Sequence, residues 1–249
     1  MELLSFILIF AAALLGGFYG SLSGGGSLVT IPVILALGIP PQIAIASNRV
    51  GVIGLGVVGW AGFAKKGYVD KKLGFIIAIP AAFGAIIGAY VLLAIEPFLI
   101  NYIIAGVTLF VLALMALNPQ AGMKKIDMSP STKRYLLGAT IAFFLGIYAG
   151  FYGASFGTFL AYMMIFFFGL TFLETAGTRK IAVLFCAIIS GTIFIWAGQV
   201  NWEVTLAVLL GMTLGTILSL KYAERLGNKW IRRIFFVVAI AASIKLIFF

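Results

Sequence analysis

One glycine-broken apolar stretch occurs twice in this chain, and that duplication limits the fold more than any other feature. Gly16-Gly17-Phe18-Tyr19-Gly20-Ser21-Leu22-Ser23-Gly24-Gly25-Gly26-Ser27 returns 130 positions later as Gly146-Ile147-Tyr148-Ala149-Gly150-Phe151-Tyr152-Gly153-Ala154-Ser155-Phe156-Gly157. After a one-residue shift the match continues: Ala46-Ser47-Asn48-Arg49 lies on Gly177-Thr178-Arg179-Lys180, and Gly67-Tyr68-Val69-Asp70 lies on Gly198-Gln199-Val200-Asn201. Each copy holds a broken apolar segment and then a cation embedded in apolar sequence. Corresponding breaks in two repeats are the pattern of secondary transporters.

The repeats lie in a membrane. With 63% hydrophobic and 10% charged residues, a chain of 249 residues has too little polar surface for a water-soluble domain, so an all-α polytopic membrane protein is expected. The first twenty residues carry Glu2 and no Lys or Arg, which is not the basic start of a signal peptide, so they read as a retained first span. A single cysteine, Cys186, excludes an intramolecular disulfide and a multi-cysteine metal site. There is no histidine, and the two aspartates, Asp70 and Asp127, fall in loops, so an intramembrane enzyme, a metal and a cofactor are not expected.

Apolar stretches fall near 3–22, 27–39, 43–63, 73–94, 98–117, 135–153, 156–172, 176–197, 203–220 and 231–249. The second and seventh are short for the roughly 20 residues of a crossing helix, and each follows a break. Non-helical backbone at membrane depth survives only where protein buries it or a wet cavity solvates it, so the two breaks are expected to face each other. Thirteen of seventeen basic residues sit in three loops, around Lys65 to Lys72, Lys124 to Arg134 and Lys221 to Arg233, which the positive-inside rule places in the cytoplasm. The net charge of +10 is thus a topology signal, and nucleic acid need not be invoked. The loop after Gly67 is lysine-rich while its counterpart, Gly198 to Glu203, has no basic residue, so equivalent loops lie on opposite sides. Five stretches per half then give inverted repeats over 1–117 and 135–249, joined by a cytoplasmic linker 118–134. Both termini would face outward from a cell inner membrane.

Arg49 lies six residues into the stretch beginning near Ile43, about 9 Å along a helix axis. Arg179 and Lys180 hold the positions equivalent to Asn48 and Arg49. Cations at that depth mark a ligand or a pathway, and a guanidinium suits two oxygens of an oxyanion. The alternative is that the arginines snorkel or cap the carbonyl end of the preceding short helix. Glu174 either neutralises Arg179 or Lys180, binds a coupling ion such as a proton or sodium, or simply starts a helix. Gly24, Gly25 and Gly26 with Ser23 and Ser27 could unwind the chain and aim amides at an anion, together with Ser155 and Thr178 in the second half. The pairs Gly16/Gly20, Gly84/Gly88 and Gly146/Gly150 have the spacing of close helix packing. Tyr19, Tyr148 and Tyr152 offer hydroxyls or aromatic packing; Trp60, Trp196, Trp202 and Trp230 fall where an interfacial belt would put them.

These residues carry a resemblance. The glycine pattern of Gly16, Gly20, Gly24, Gly25 and Gly26, then Pro32, Gly38-Ile39-Pro40-Pro41, Ala46-Ser47-Asn48 and the Gly-Tyr-Val-Asp loop resemble the TauE/SafE family of membrane transporters. The resemblance spans both halves and implies movement of small sulfur-containing anions, such as sulfite, taurine and sulfoacetate, across the bacterial inner membrane. The second half departs from the pattern, with Ser155 and Phe156 in place of glycines and Tyr162 in place of Pro32. An anion channel lined by the same cations is the alternative function, and a structural subunit is a third; a homo-oligomer is compatible with each.

Overall fold

The computed structural model describes residues 2–96 and 131–222. Eight helices run α1 (Leu3–Ser23), α2 (Ser27–Ala36), α3 (Pro41–Lys65), α4 (Lys71–Ala94), α5 (Thr132–Phe151), α6 (Phe156–Phe168), α7 (Phe172–Trp196) and α8 (Trp202–Tyr222). Six are long and apolar enough to cross a membrane. The other two, α2 with 10 residues and α6 with 13, rise only about 15 and 20 Å against a core of about 30 Å, so they cannot cross it as straight helices. The apolar stretches near 98–117 and 231–249, most of the linker and Trp230 lie outside the described residues.

Local chemistry sets the helix ends. Asp70 accepts the amide of Leu73 at 2.9 Å to start α4, and Asn201, its counterpart in the repeat, accepts that of Val204 at 3.1 Å to start α8. At the head of α7, Thr171 and Glu174 close a capping box. Glu174 therefore takes the helix-start role, its carboxylate accepting from Thr171 N at 2.9 Å.

Packing crosses between the halves. Helix α4 lies on α5, where Gly84 and Gly88 face the backbone of Phe143 and Ile147 while Gly146 and Gly150 face that of Ala81 and Ala85. The glycines four apart thus let two helices approach at backbone distance, as expected of packing glycines. Helix α8 meets α1 the same way, Gly211 and Gly215 against the backbone of Phe10 and Leu14. Helices α3 and α7, equivalent in the repeat, run antiparallel: Gly177 sits by Phe63, Lys180 by Gly59, Leu184 by Gly56 and Gly191 by Val50. Two reciprocal bonds clasp these helices to the opposite half, from Asp70 N to Thr178 Oγ1 at 3.0 Å and from Asn201 N to Ser47 Oγ at 2.8 Å.

Large apolar side chains such as Phe83, Phe144 and Leu136 are exposed, as a lipid-facing surface requires. Trp196 and Trp202 are exposed at the α7–α8 turn. Trp60 corrects the belt expectation: it is partly buried and packs on the core cluster around Ile181 and Ala182.

Candidate functional site

The two breaks meet. Helix α1 ends at Gly24, whose φ of 96° is open to glycine, and a Cβ there would collide with the backbone of Gly157 and Thr158 at the start of α6. Thr158 Oγ1 donates to the carbonyl of Ser23 at 3.0 Å across the same seam. In the second break Gly153 (φ 69°) and Ser155 (φ 66°) both adopt the left-handed conformation. A Cβ at Gly153 would also displace the guanidinium of Arg49 from its place.

Each half sends an arginine into the other. Arg49 lies eight residues into α3, about 12 Å along its axis and deeper than the sequence implied, because the helix starts at Pro41. It is 3% exposed, and its Nη2 donates to the carbonyls of Ala149 and Tyr152 at the broken end of α5, the latter at 3.1 Å. Arg179 is 1% exposed; its Nη2 donates to Leu22 O at 2.7 Å and Ser21 O at 3.3 Å at the broken end of α1, and its Nη1 to Gly157 O at 3.2 Å. Snorkelling is ruled out by this burial. Capping occurs, but of the opposite half's broken long helix and not of the preceding short one. Among the described residues, the Nε atoms of both arginines are buried without a hydrogen bond.

A cavity of about 30 Å³ lies between the breaks. It is lined by Arg49, Arg179 and Lys180, by Gly24, Gly26 and Ser27 at the start of α2, and by Phe156 and Gly157 at the start of α6. Val52, Leu55, Val183 and Met212 form its apolar wall. The N-terminal turns of both short helices thus face it with their positive ends, while the arginines cover the carbonyl ends of α1 and α5. No carboxylate lines it among the described residues, and no cluster of three or more metal-ligating side chains occurs among them.

The other sequence candidates stand behind this lining. Asn48 donates to Ser27 Oγ at 2.9 Å and accepts from Thr30 Oγ1 at 2.6 Å, fixing the first turn of α2. Thr178 accepts the Asp70 amide, Ser23 donates to its own helix at Tyr19 O, and the Oγ of Ser155 is buried with no partner among the described residues. Gly25 packs against the ring of Tyr19. Tyr148 donates to Ala154 O, and Tyr152 packs edge-on against it with ring centroids 6.2 Å apart, so aromatic packing describes the second pair. Sequence reading passed over Gly153 and Gly157; Gly157 aligns with Ser27 of the first break, and the repeat itself was the signal for it.

Broken helices meeting head to head around a positive cavity define a polytopic membrane protein of the transporter class. The sequence model described as "Sulfite exporter TauE/SafE" matches residues 9–246, and the chain belongs to that family. It is similar to a "Probable membrane transporter protein ORF9" of Sinorhizobium sp, 28% identical over 247 residues, which cover 99% of this chain and 93% of the relative. It is also similar to the "Probable membrane transporter protein YfcA" of Escherichia coli K12, 25% identical with 96% and 88% covered, and to a "Probable membrane transporter protein" of Haemophilus influenzae, 23% identical with 97% and 94% covered. No solved structure matches the chain significantly.

Proposed function

We propose that this membrane transporter is a secondary transporter of a small anion, with a sulfur oxyanion or organosulfonate such as sulfite, sulfoacetate or taurine as the favoured cargo. One observation carries the choice of an anion: three buried cations and two positive helix ends surround one cavity with no described carboxylate to balance them. Such a concentration of charge at membrane depth is costly unless a ligand of opposite sign supplies the balance. The family description supports the choice of a sulfur anion.

The mechanism is alternating access. A cavity of about 30 Å³ admits a water or two but is small for an oxyanion with its several heavy atoms. Cargo therefore enters when the halves part along the Gly24–Gly157 seam, and rocking of one half against the other exposes it to each side in turn. The antiparallel run of α3 and α7 supports this reading, because inverted halves present the same seam to both faces. The lysine-rich turn between α3 and α4 is cytoplasmic in this reading, with the protein in the cell inner membrane and both termini outside. Glu174 is a weak coupling candidate, since its carboxylate starts α7 and does not line the cavity.

Thermal stability of the purified protein against a panel of anions at fixed ionic strength tests the proposal, because a ligand that binds only the folded state raises its melting point. Sulfite or a sulfonate should raise the midpoint where chloride at equal ionic strength does not. No response to any anion would overturn the anion reading, and an ohmic current in a planar bilayer would replace the transporter by a channel.

A further inference from the structure

The three cations of the cavity do not meet the same surroundings. Arg49 and Arg179 each spend Nη2 on backbone carbonyls at the broken end of a helix from the other half, and Arg179 Nη1 donates to Gly157 O of its own half, while Arg49 Nη1 makes no bond among the described residues. Their Nε–H groups are enclosed by protein. Lys180 is 1% exposed as a residue and lines the same cavity; among the described residues its ammonium makes no hydrogen bond or ion pair, and unlike the two Nε atoms it is not sealed by protein but opens to the cavity. Its stem runs along α3 where Gly59 leaves room, a Cβ at that glycine standing 2.8 Å from Lys180 Cε. A buried ammonium without a partner is among the most costly groups a membrane protein can hold.

The repeat explains how this charge became surplus. Arg49 and Lys180 occupy the same position of the two halves. In the first half that position caps the opposite broken helix at Tyr152 O. In the second half the equivalent carbonyl, Leu22 O, is taken by Arg179, one residue earlier, at the position where the first half has Asn48. The capping requirement is already met when the chain reaches Lys180, so folding leaves its ammonium uncommitted.

We infer that Lys180 is the residue that contacts the transported anion, and that Arg49 and Arg179 are positioning residues that hold the two breaks in place and supply field at a distance. The inference rests on the proposed anion transport and assigns its direct contact. A compact ammonium with three rotatable donors binds an anion as a point charge, so the site reads charge and size more than the planar two-oxygen geometry a guanidinium would select. This predicts tolerance among oxyanions and sulfonates of similar size.

The experiment compares Lys180→Met, Lys180→Arg and Arg49→Met in detergent and in proteoliposomes, with radiolabelled sulfite and sulfoacetate as probes. Lys180→Met should melt at or above the wild-type temperature without anion, because it removes an unpaired buried charge while keeping the stem, yet lose the anion-induced rise and at least tenfold in uptake. Lys180→Arg should recover part of the uptake. Arg49→Met should melt below wild type in the absence of any anion, since it strips the cap from α5. Lys180→Met with wild-type uptake and unchanged KM would overturn the assignment while leaving anion transport standing, and so would a Lys180→Met that melts well below wild type, which marks a structural lysine. Wild-type protein that moves neither probe would overturn the transport reading itself.

Discussion

Arg49 and Lys180 stand at one position of a duplicated unit and end in different company. The first half turns its cation across the molecule onto the carbonyl end of α5, whereas the second half hands that duty to the preceding residue and leaves a lysine facing the cavity. A broken helix exposes backbone carbonyls that the bilayer cannot solvate, so each half requires one guanidinium from the other. Once that requirement is met, a further cation, Lys180, is left lining the cavity. The comparison shows how two nearly equivalent halves produce a site that is not symmetric.

The largest effect should come from removing the caps. Arg179→Gln loses hydrogen bonds to three carbonyls and Arg49→Gln to two, so at about 1–3 kcal/mol for each buried acceptor left unpaired the first should lose roughly 3 kcal/mol or more and the second roughly 2 or more. Melting of the two proteins in one detergent checks this, and Arg179→Gln should be the less stable. A variant melting within a degree of wild type would remove the capping account for that half.

Next in size, Gly153→Ala combines left-handed backbone with a collision on Arg49, while Gly38→Ala has a similar φ of 80° and open space around it. Strain alone is about 1–2 kcal/mol, so Gly38→Ala should cost that much and Gly153→Ala clearly more. Equal shifts in melting temperature would mean that Arg49 moves aside freely. Thr158→Val then removes the bond across the seam to Ser23 O, at about 1 kcal/mol. Position 158 aligns with Leu28, so the reciprocal Leu28→Thr should give no matching gain, and a gain there would mean the breaks are more alike than the comparison holds.

The smallest expected effects test where the halves do agree. Ser47→Ala and Thr178→Val each free one backbone amide, Asn201 N or Asp70 N, on an exposed loop residue, for about 0.5–1 kcal/mol apiece. Because the two bonds are counterparts, the two losses should match. A difference above about 0.5 kcal/mol, the usual scatter for independent sites, would show that one clasp carries the interface.

Much of this was legible residue by residue. The spans, the two short helices and the glycine-marked breaks follow from apolar run length and from triplets such as Gly24-Gly25-Gly26, since helix propensity and transfer cost act locally. The burial of Arg49, Arg179 and Lys180 was legible too, because each sits inside apolar sequence. Their division of labour was not. Sequence reading treated capping as a matter of the preceding short helix, whereas the broken-end carbonyls that Arg49 and Arg179 reach belong to the other half. Thr178, Asn48 and Ser23 looked like lining residues because they are polar in apolar surroundings; in the fold those groups meet partners on adjacent turns and loops. Gly153 carried no motif of its own, and its necessity comes from the side chain that folds against it.

By itself the sequence determined that this chain is a duplicated, helical membrane protein whose halves each break a helix and bury positive charge. Those properties depend on the length and polarity of contiguous segments, and such terms need no knowledge of distant neighbours. Only the tertiary structure decided which cation closes which helix end and which one is left facing the cavity without a cap to make. The partners of Arg49 lie 100 and 103 residues away and those of Arg179 at the end of α1 lie 157 and 158 residues away. Hydrogen bonding is a contact interaction, so a choice between adjacent residues 179 and 180 is made by which of them reaches the carbonyls first.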